Sequence, residues 1–114
     1  MNDCVFCNII NGEIPSKKVY ENDKVLAFHD ISPNAPVHVL VVPKVHIKNI
    51  TELNADNLSI IGDIVLGINE VVRIMNLSED GFRVITNCGK FGGQTVEHLH
   101  FHILGGKQLP LNMG

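Results

Sequence analysis

Between residues 97 and 106 the chain reads EHLHFHILGG. Leu99, Phe101 and Ile103 alternate there with His98, His100 and His102, and strict alternation of apolar with polar residues is the pattern of a half-buried β-strand. Successive side chains of a strand point to opposite faces. The alternation therefore predicts a strand that sends Leu99, Phe101 and Ile103 into the core and gathers all three imidazoles on the other face. A helix would scatter them around its circumference. Any fold for this chain has to be built around that strand.

The remaining segments supply the rest of an α+β domain. CVFCNIING, residues 4–12, predicts a short helix stopped by Gly12 and then Pro15. KVYEN and KVLAFHD, around 18–22 and 24–30, read as two strands joined at the turn pair Asn22-Asp23. SPNAP (32–36) is a loop, and VHVLVVP (37–43) is a β-branched run that Pro43 ends. A long helix is expected from about Asp56 to Leu77, and FRVITNCG (82–89) alternates as a strand before the glycine-rich GKFGGQT. The connections are short enough for hairpins, so a mostly antiparallel sheet with the helices packed on one face is predicted. On the long helix, Leu58, Ile61, Val65, Ile68, Val72 and Met75 make one apolar stripe, expected to face the core. Ile60, Ile64, Val71 and Ile74 make a second stripe about 100° around the axis. A second apolar surface on a small domain meets a partner, and a homodimer built partly on this helix is expected.

Bulk properties narrow the partners. The 114 residues suit one domain spanning 1–114, without a repeat or linker. A net charge of −3 argues against a nucleic-acid backbone or an anionic membrane as the main partner. No apolar run approaches the ~18 residues of a membrane span. The opening MNDCVFCNIINGEIP lacks the basic segment and long apolar stretch of a secretory signal. With an odd number of cysteines, three, the expected compartment is reducing, and cytoplasm is the simplest assignment.

Three histidines suggest zinc, but strand geometry works against one shared ion. Alternate residues of a strand lie ~6.5–7 Å apart, so His98 and His102 are separated by ~13 Å at Cα. Different members of the row are expected to do different jobs. A neutral imidazole can attack phosphorus and form a covalent phospho-histidine. It needs its second nitrogen held as N–H by an acceptor, and its neighbours can handle the leaving group's proton. Upstream, NCGKFGGQT (87–95) carries Gly89, Gly92 and Gly93, which let backbone amides approach an anion closely. Cys4 and Cys7 form a C-x-x-C pair, half of a closed zinc site that needs two further ligands. Cys88 has no evident partner and is expected in the core.

Taken together, GGQTVEHLHFHILGG (92–106) and AFHDISPNAPVHVLVVPKVHI (27–47) resemble the histidine triad (HIT) superfamily, whose mark is His-x-His-x-His followed by two apolar residues. Gly105-Gly106 makes the chain most similar to the Hint branch, the purine nucleoside phosphoramidases. The resemblance implies a HIT-like fold, a five-stranded, mainly antiparallel sheet with one long and one short helix, paired into a two-fold dimer with a ten-stranded sheet. It implies hydrolysis of purine nucleoside 5′-phosphoramidates through a covalent nucleotidyl-histidine, with no metal in the chemistry. His100 corresponds to the nucleophile, His98 and His102 to its flanking partners, and His38 to a fourth histidine of the site. Asn87, Gly93, Gln94 and Thr95 correspond to phosphate and leaving-group contacts, and Asp30, with Ile31 beside it, to the carboxylate that binds the ribose hydroxyls. Phe6, Ile9, Ile14, Phe28 and His29 fall where the family builds its purine slot. Some bacterial relatives hold a structural zinc, and the matching residues here are Cys4, Cys7, His46 and His98. Other readings of the same residues are a nucleotide-binding sensor with little turnover, a dinucleoside polyphosphate hydrolase, and a metallohydrolase that uses the histidine row.

Overall fold

Alternation and β-branching become five strands in the computed structural model, which describes residues 3–112. They are β1 (Lys18–Glu21), β2 (Val25–His29), β3 (Val37–Pro43), β4 (Arg83–Ile85) and β5 (Phe101–Gly105). Their order across the sheet is β1-β2-β3-β5-β4, with every neighbouring pair antiparallel. Asn22 closes the first hairpin, its Oδ1 accepting from the backbone N–H groups of Lys24 (2.8 Å) and Val25 (2.9 Å). The two helices are α1 (Val5–Ile10) and α2 (Ser59–Ile74). Among the described residues, no helix is long and apolar enough to cross a membrane.

The buried face of the long helix lies between the two expected stripes and draws on both. Ile64, Gly67, Ile68, Val71 and Val72 are its buried residues, whereas Leu58 and Val65 of the expected core stripe are exposed. The core thus takes Ile68 and Val72 from the stripe expected to face it and Ile64 and Val71 from the stripe assigned to a partner, whose Ile74 is exposed. Gly67 decides the phase: a Cβ there would lie 2.9 Å from Val25 Cγ2. Only glycine lets the helix approach β2 this closely, and the approach turns the neighbouring Ile64, Ile68 and Val71 onto the sheet. At its C-terminus Asn76 takes a left-handed φ of 57°, and the Leu77 N–H returns to the Val72 carbonyl. This is the turn in which asparagine substitutes for glycine.

The helices do not share a face, contrary to expectation. Val25, Ala27, Val39, Val41, Phe101 and Ile103 pack with α2 in one buried cluster. Leu26, Phe28, Leu40 and Val42, the alternate positions of the same strands, pack with Phe6 and Ile9 of α1 in another. One face of the sheet therefore carries α2, and α1 covers the opposite face at β2 and β3. The imidazoles lie on the α1 side, while Leu99, Phe101 and Ile103 enter the α2 side, as the alternation predicts.

Regular pairing around the histidines is shorter than the alternation suggests. β4 stops at Ile85 and β5 begins only at Phe101. Thr86 leaves the ladder but donates its hydroxyl to the His100 carbonyl at 2.8 Å, and the Leu99 N–H bonds the Ile47 carbonyl. His98 and His100 thus lie on an extension of β5 held by these substitutes for sheet bonds.

Candidate active site

Each imidazole of the row has a different partner for one of its nitrogens. His100 donates Nδ1–H to the His98 carbonyl at 2.7 Å, because a carbonyl can only accept. In the neutral ring this leaves Nε2 with a free lone pair. The His38 Nδ1 accepts from the Asn34 backbone N–H at 3.1 Å, so a neutral His38 carries its proton on Nε2. That Nε2–H donates to His102 Nδ1 at 2.9 Å, with Asp30 Oδ2 at 3.4 Å. His102, accepting at Nδ1, presents Nε2–H. The row therefore offers a nucleophilic nitrogen at His100 beside a donor N–H at His102, their rings 5.1 Å apart.

Sheet register produces this meeting. His38 pairs with Leu104, and His102 with Leu40, in the antiparallel β3–β5 ladder, which makes His38 and His102 diagonal neighbours on one face. Asp30 is placed by the turn after β2: its Oδ1 caps the Ser32 N–H at 2.8 Å, and its N–H bonds the His38 carbonyl. Its second oxygen is left for the site.

Burial keeps these rings neutral at pH 7. It pushes His38, His98 and His100 below the ordinary imidazole value, each for lack of solvent around the charged form. His102 is pushed down to about 4, first by burial and then by repulsion from His100 and His38 in their charged forms. Neutrality is what a nucleophile needs.

The row opens onto a cleft of about 1000 Å³. Of the residues expected to bind substrate, Phe6, Ile9, Phe28, His29, Asp30, Ile31 and Thr95 line it together with His100 and His102. Phe6 is the hinge of its apolar wall, its ring edge-on to Phe28 (5.7 Å) and to His100 (5.0 Å). Ile14, also expected in the purine slot, does not line the cleft; it is partly buried and packs against the cluster that holds Phe6 and Ile9. Val5, Pro15, Ser16, Lys17, Leu40 and Val96 also line the cleft. The sequence reading missed these six. Leu40 was within reach, since alternation from His38 places it on the histidine face.

The glycine-rich residues lie elsewhere. Gly93 and Gln94 line a separate recess of about 590 Å³ with Lys48 and Lys90, and Thr95 borders both spaces. The amide of Gln94 is fully engaged: Oε1 accepts from the Gly89 N–H and Asn49 Nδ2, and Nε2 donates to the Lys48 and Val96 carbonyls. Asn87 donates its Nδ2 to the Gly92 carbonyl at 2.7 Å. Both side chains brace the loop. Cys88, expected in the core, is only half-buried.

His98 turns away from the cleft into a second cluster. It donates Nε2–H to the Pro43 carbonyl at 2.8 Å, which leaves the Nδ1 lone pair facing sulfur. Cys4 Sγ lies 3.2 Å and Cys7 Sγ 3.6 Å from that nitrogen. His46 Nδ1 lies 3.3 Å from Cys7 Sγ and 3.2 Å from His98 Nδ1. Bonds of ~2.3 Å to sulfur and ~2.0 Å to nitrogen around a tetrahedral zinc put ligand atoms about 3.3–3.8 Å from one another. The four donors fit that ion in number, type and spacing. Burial, then the hydrogen bond and charge of Cys4, push the Cys7 thiol up to about 11; a bound cation reverses this and favours the thiolate. Asp30, His38 and His102 also come within metal-ligand reach of one another, but the Asn34 amide commits His38 Nε2 to carrying a proton. That trio is a hydrogen-bond relay.

Comparison with known proteins agrees with this architecture. A HIT family hydrolase from Clostridium thermocellum superposes with a TM-score of 0.95 at 48% identity, covering 99% of this chain and 98% of that one. A histidine triad protein from Clostridium difficile does so with a TM-score of 0.95 at 50% identity and the same coverages. The purine nucleoside phosphoramidase of Escherichia coli is 39% identical over 107 residues, 94% of this chain and 90% of that one. A family model, the HIT domain, matches residues 11–109. Because that match runs through the β2–β3 hairpin and the histidine strand alike, the chain belongs to the HIT domain family.

Proposed function

We propose that the cleft hydrolyses purine nucleoside 5′-phosphoramidates through a covalent nucleotidyl-histidine. The observation that carries this reading is the bond from His100 Nδ1–H to the His98 carbonyl, which leaves Nε2 as an unprotonated nucleophile facing an apolar slot. Phe6, Ile9 and Phe28 suit the faces of a purine, and the Asp30 Oδ2, which lies 3.4 Å from His38 Nε2, suits the ribose hydroxyls. The name of the Escherichia coli relative points to the same substrate class.

In the first step the His100 Nε2 lone pair forms a bond to the α-phosphorus as the P–N bond to the amine breaks. The departing nitrogen keeps that electron pair and takes a proton from solvent, while we assign His102 Nε2–H as the hydrogen-bond donor to the phosphoryl oxygens. The phosphorylated ring is cationic, and the His98 carbonyl stabilises its Nδ1–H. Water then attacks phosphorus and gives a proton to solvent, the bond between His100 Nε2 and phosphorus breaks with its pair returning to the nitrogen, and the nucleoside monophosphate leaves. Positioning and charge stabilisation carry the reaction.

We assign zinc to Cys4, Cys7, His46 and His98 as a structural ion, closed by four protein ligands and outside the chemistry. It requires reduced thiols, and the cytoplasm supplies that environment. We also propose a homodimer. β4 is a sheet edge, and Leu58, Val65 and Leu66 of α2 and its cap are exposed. A second copy across β4 would give a ten-stranded sheet, twice the five of one chain.

The test is adenosine 5′-phosphoramidate mixed with the enzyme, acid-quenched, and read both as released AMP and as intact protein mass. A nucleotidyl adduct on the wild type that is absent from His100→Ala supports the reading. A folded His100→Ala protein that still turns over refutes it.

A further inference from the structure

α1 has six residues, too few for an isolated helix to persist in water. Nevertheless three of them, Val5, Phe6 and Ile9, form a wall of the cleft. Both sulfurs of the metal cluster belong to this helix: Cys4 is its N-cap, its Sγ accepting the Cys7 N–H at 3.3 Å, and Cys7 lies in its first turn. The other two ligands come from the segment after β3 and from the histidine strand, which the Leu99–Ile47 backbone bond already joins. An ion shared by the four would therefore add to the apolar packing of Phe6 and Ile9 a direct tether between the α1 wall of the cleft and these two segments. Phe6 makes the link direct, its ring meeting both His98 (5.9 Å) and His100 (5.0 Å) edge-on.

We propose that Cys4 and Cys7 are positioning residues for the purine: zinc held by Cys4, Cys7, His46 and His98 sets α1 against the histidine strand and thereby builds the base slot. The inference rests on the purine-slot reading given above. The phosphate side of the cleft is built by β3, β5 and the His38–His102 contact. There α1 reaches it through the edge of the Phe6 ring on His100 and its packing on Leu40, whereas the base slot has α1 itself as a wall. Zinc loading should therefore change affinity for the base far more than affinity for ribose phosphate. Because coupling between two sites is reciprocal, a purine nucleotide must tighten zinc by the same factor by which zinc tightens the nucleotide.

The experiment uses the full chain, loaded with zinc or stripped with a chelator. Calorimetric titration with AMP and with ribose 5-phosphate is combined with the rate at which a chromogenic chelator draws zinc from the loaded protein. The expected result is one zinc per chain and AMP affinity at least about fivefold higher in the loaded form. Ribose 5-phosphate affinity should be equal in both forms within about twofold, and zinc release should be slowed by AMP but not by ribose 5-phosphate. Zinc release is read from the loaded protein, so that arm stands even where the stripped chain unfolds. The proposal is overturned by well under one zinc per chain, by equal effects of zinc on the two ligands, or by a release rate that AMP leaves unchanged. Loaded protein that binds AMP no better than ribose 5-phosphate also overturns it, and in that case the fault lies in the purine-slot reading. A normal preference for AMP that survives stripping places the fault in the coupling.

Discussion

The hydrogen-bond relay from Asn34 through His38 to His102 makes a prediction that separates geometry from mere bulk. His38 is 4% exposed, and its ring spends Nδ1 on the Asn34 N–H at 3.1 Å and Nε2–H on His102 Nδ1 at 2.9 Å. His38→Leu keeps the apolar volume but removes both bonds. Asn34 is exposed, so water can satisfy its N–H. His102 Nδ1 faces inward and loses its donor, at a cost of roughly 1–3 kcal/mol for a part-buried acceptor left unpaired. If the ring relieves that cost by turning, its Nε2–H no longer points at the reacting phosphate. At about 1.4 kcal/mol per factor of ten, kcat/KM for adenosine 5′-phosphoramidate should fall about 5- to 150-fold. His38→Gln, whose amide places an N–H donor near the position of the lost Nε2–H, should recover most of that loss. Nitrogen chemical shifts of His102 supply the independent readout: Nε2–H in the wild type and in His38→Gln, a mixture in His38→Leu. Equal activity in His38→Leu and the wild type would show that the relay positions nothing.

Protonation gives a second test. His102 is held down to about 4 and His38 below its ordinary value, whereas the unfolded chain takes up these protons near 6.5. Stability should be level above pH 6.5 and fall as pH drops from 6.5 towards 4, where the unfolded state binds more protons; urea midpoints at pH 7.5, 5.5 and 4.5 that stayed constant or rose would contradict this. Leu99, 1% exposed beneath the histidines, should cost about 2–5 kcal/mol when truncated to alanine, measured by urea unfolding, and a loss under about 1 kcal/mol would mean the site collapses around it. Light scattering at micromolar concentration should give the mass of two chains, and a monomeric mass would remove the dimer proposal.

Much of the site could be read from the sequence because its determinants are local. Alternation from His98 to Ile103 specified which side chains share a face, and Cys4 and Cys7 marked half of a metal site by their spacing, while His46 and His98 as the other half came from the family resemblance. The phase of α2 was harder, since its two apolar stripes are nearly equal in composition. The deciding residue was Gly67, whose lack of a side chain permits contact with Val25 and whose place among Ile64, Ile68 and Val71 marked the true core face. The position of α1 was signalled by β3, where Val39 and Val41 alternate with Leu40 and Val42; a continuous apolar run belongs to a strand covered on both faces. What stayed hidden was the role of Gln94. A polar residue in a glycine-rich loop looks the same in sequence whether it meets a ligand or, as here, spends its whole amide on Gly89, Asn49, Lys48 and Val96.

Three identical side chains at alternate positions on one strand leave in the same direction, so their chemistry cannot differ by placement alone. It differs by what holds the other end of each ring. A backbone carbonyl holds His100 Nδ1–H and makes Nε2 a nucleophile; His38, itself fixed by an amide, makes His102 a donor; and the Pro43 carbonyl holds His98 Nε2–H and turns the Nδ1 lone pair towards two thiols. Each partner fixes a tautomer, and a fixed tautomer is a fixed choice between giving and accepting a proton. The division of labour also explains why burial is tolerable here. A neutral imidazole with one committed nitrogen has a single remaining polar atom to satisfy, a lone pair on His100 and an N–H on His102, and in both rings that atom faces the cleft, where a substrate phosphate would meet it. The histidine row is therefore a set of neutral, pre-oriented hydrogen-bonding groups, and its reactivity resides in the second nitrogen of each ring.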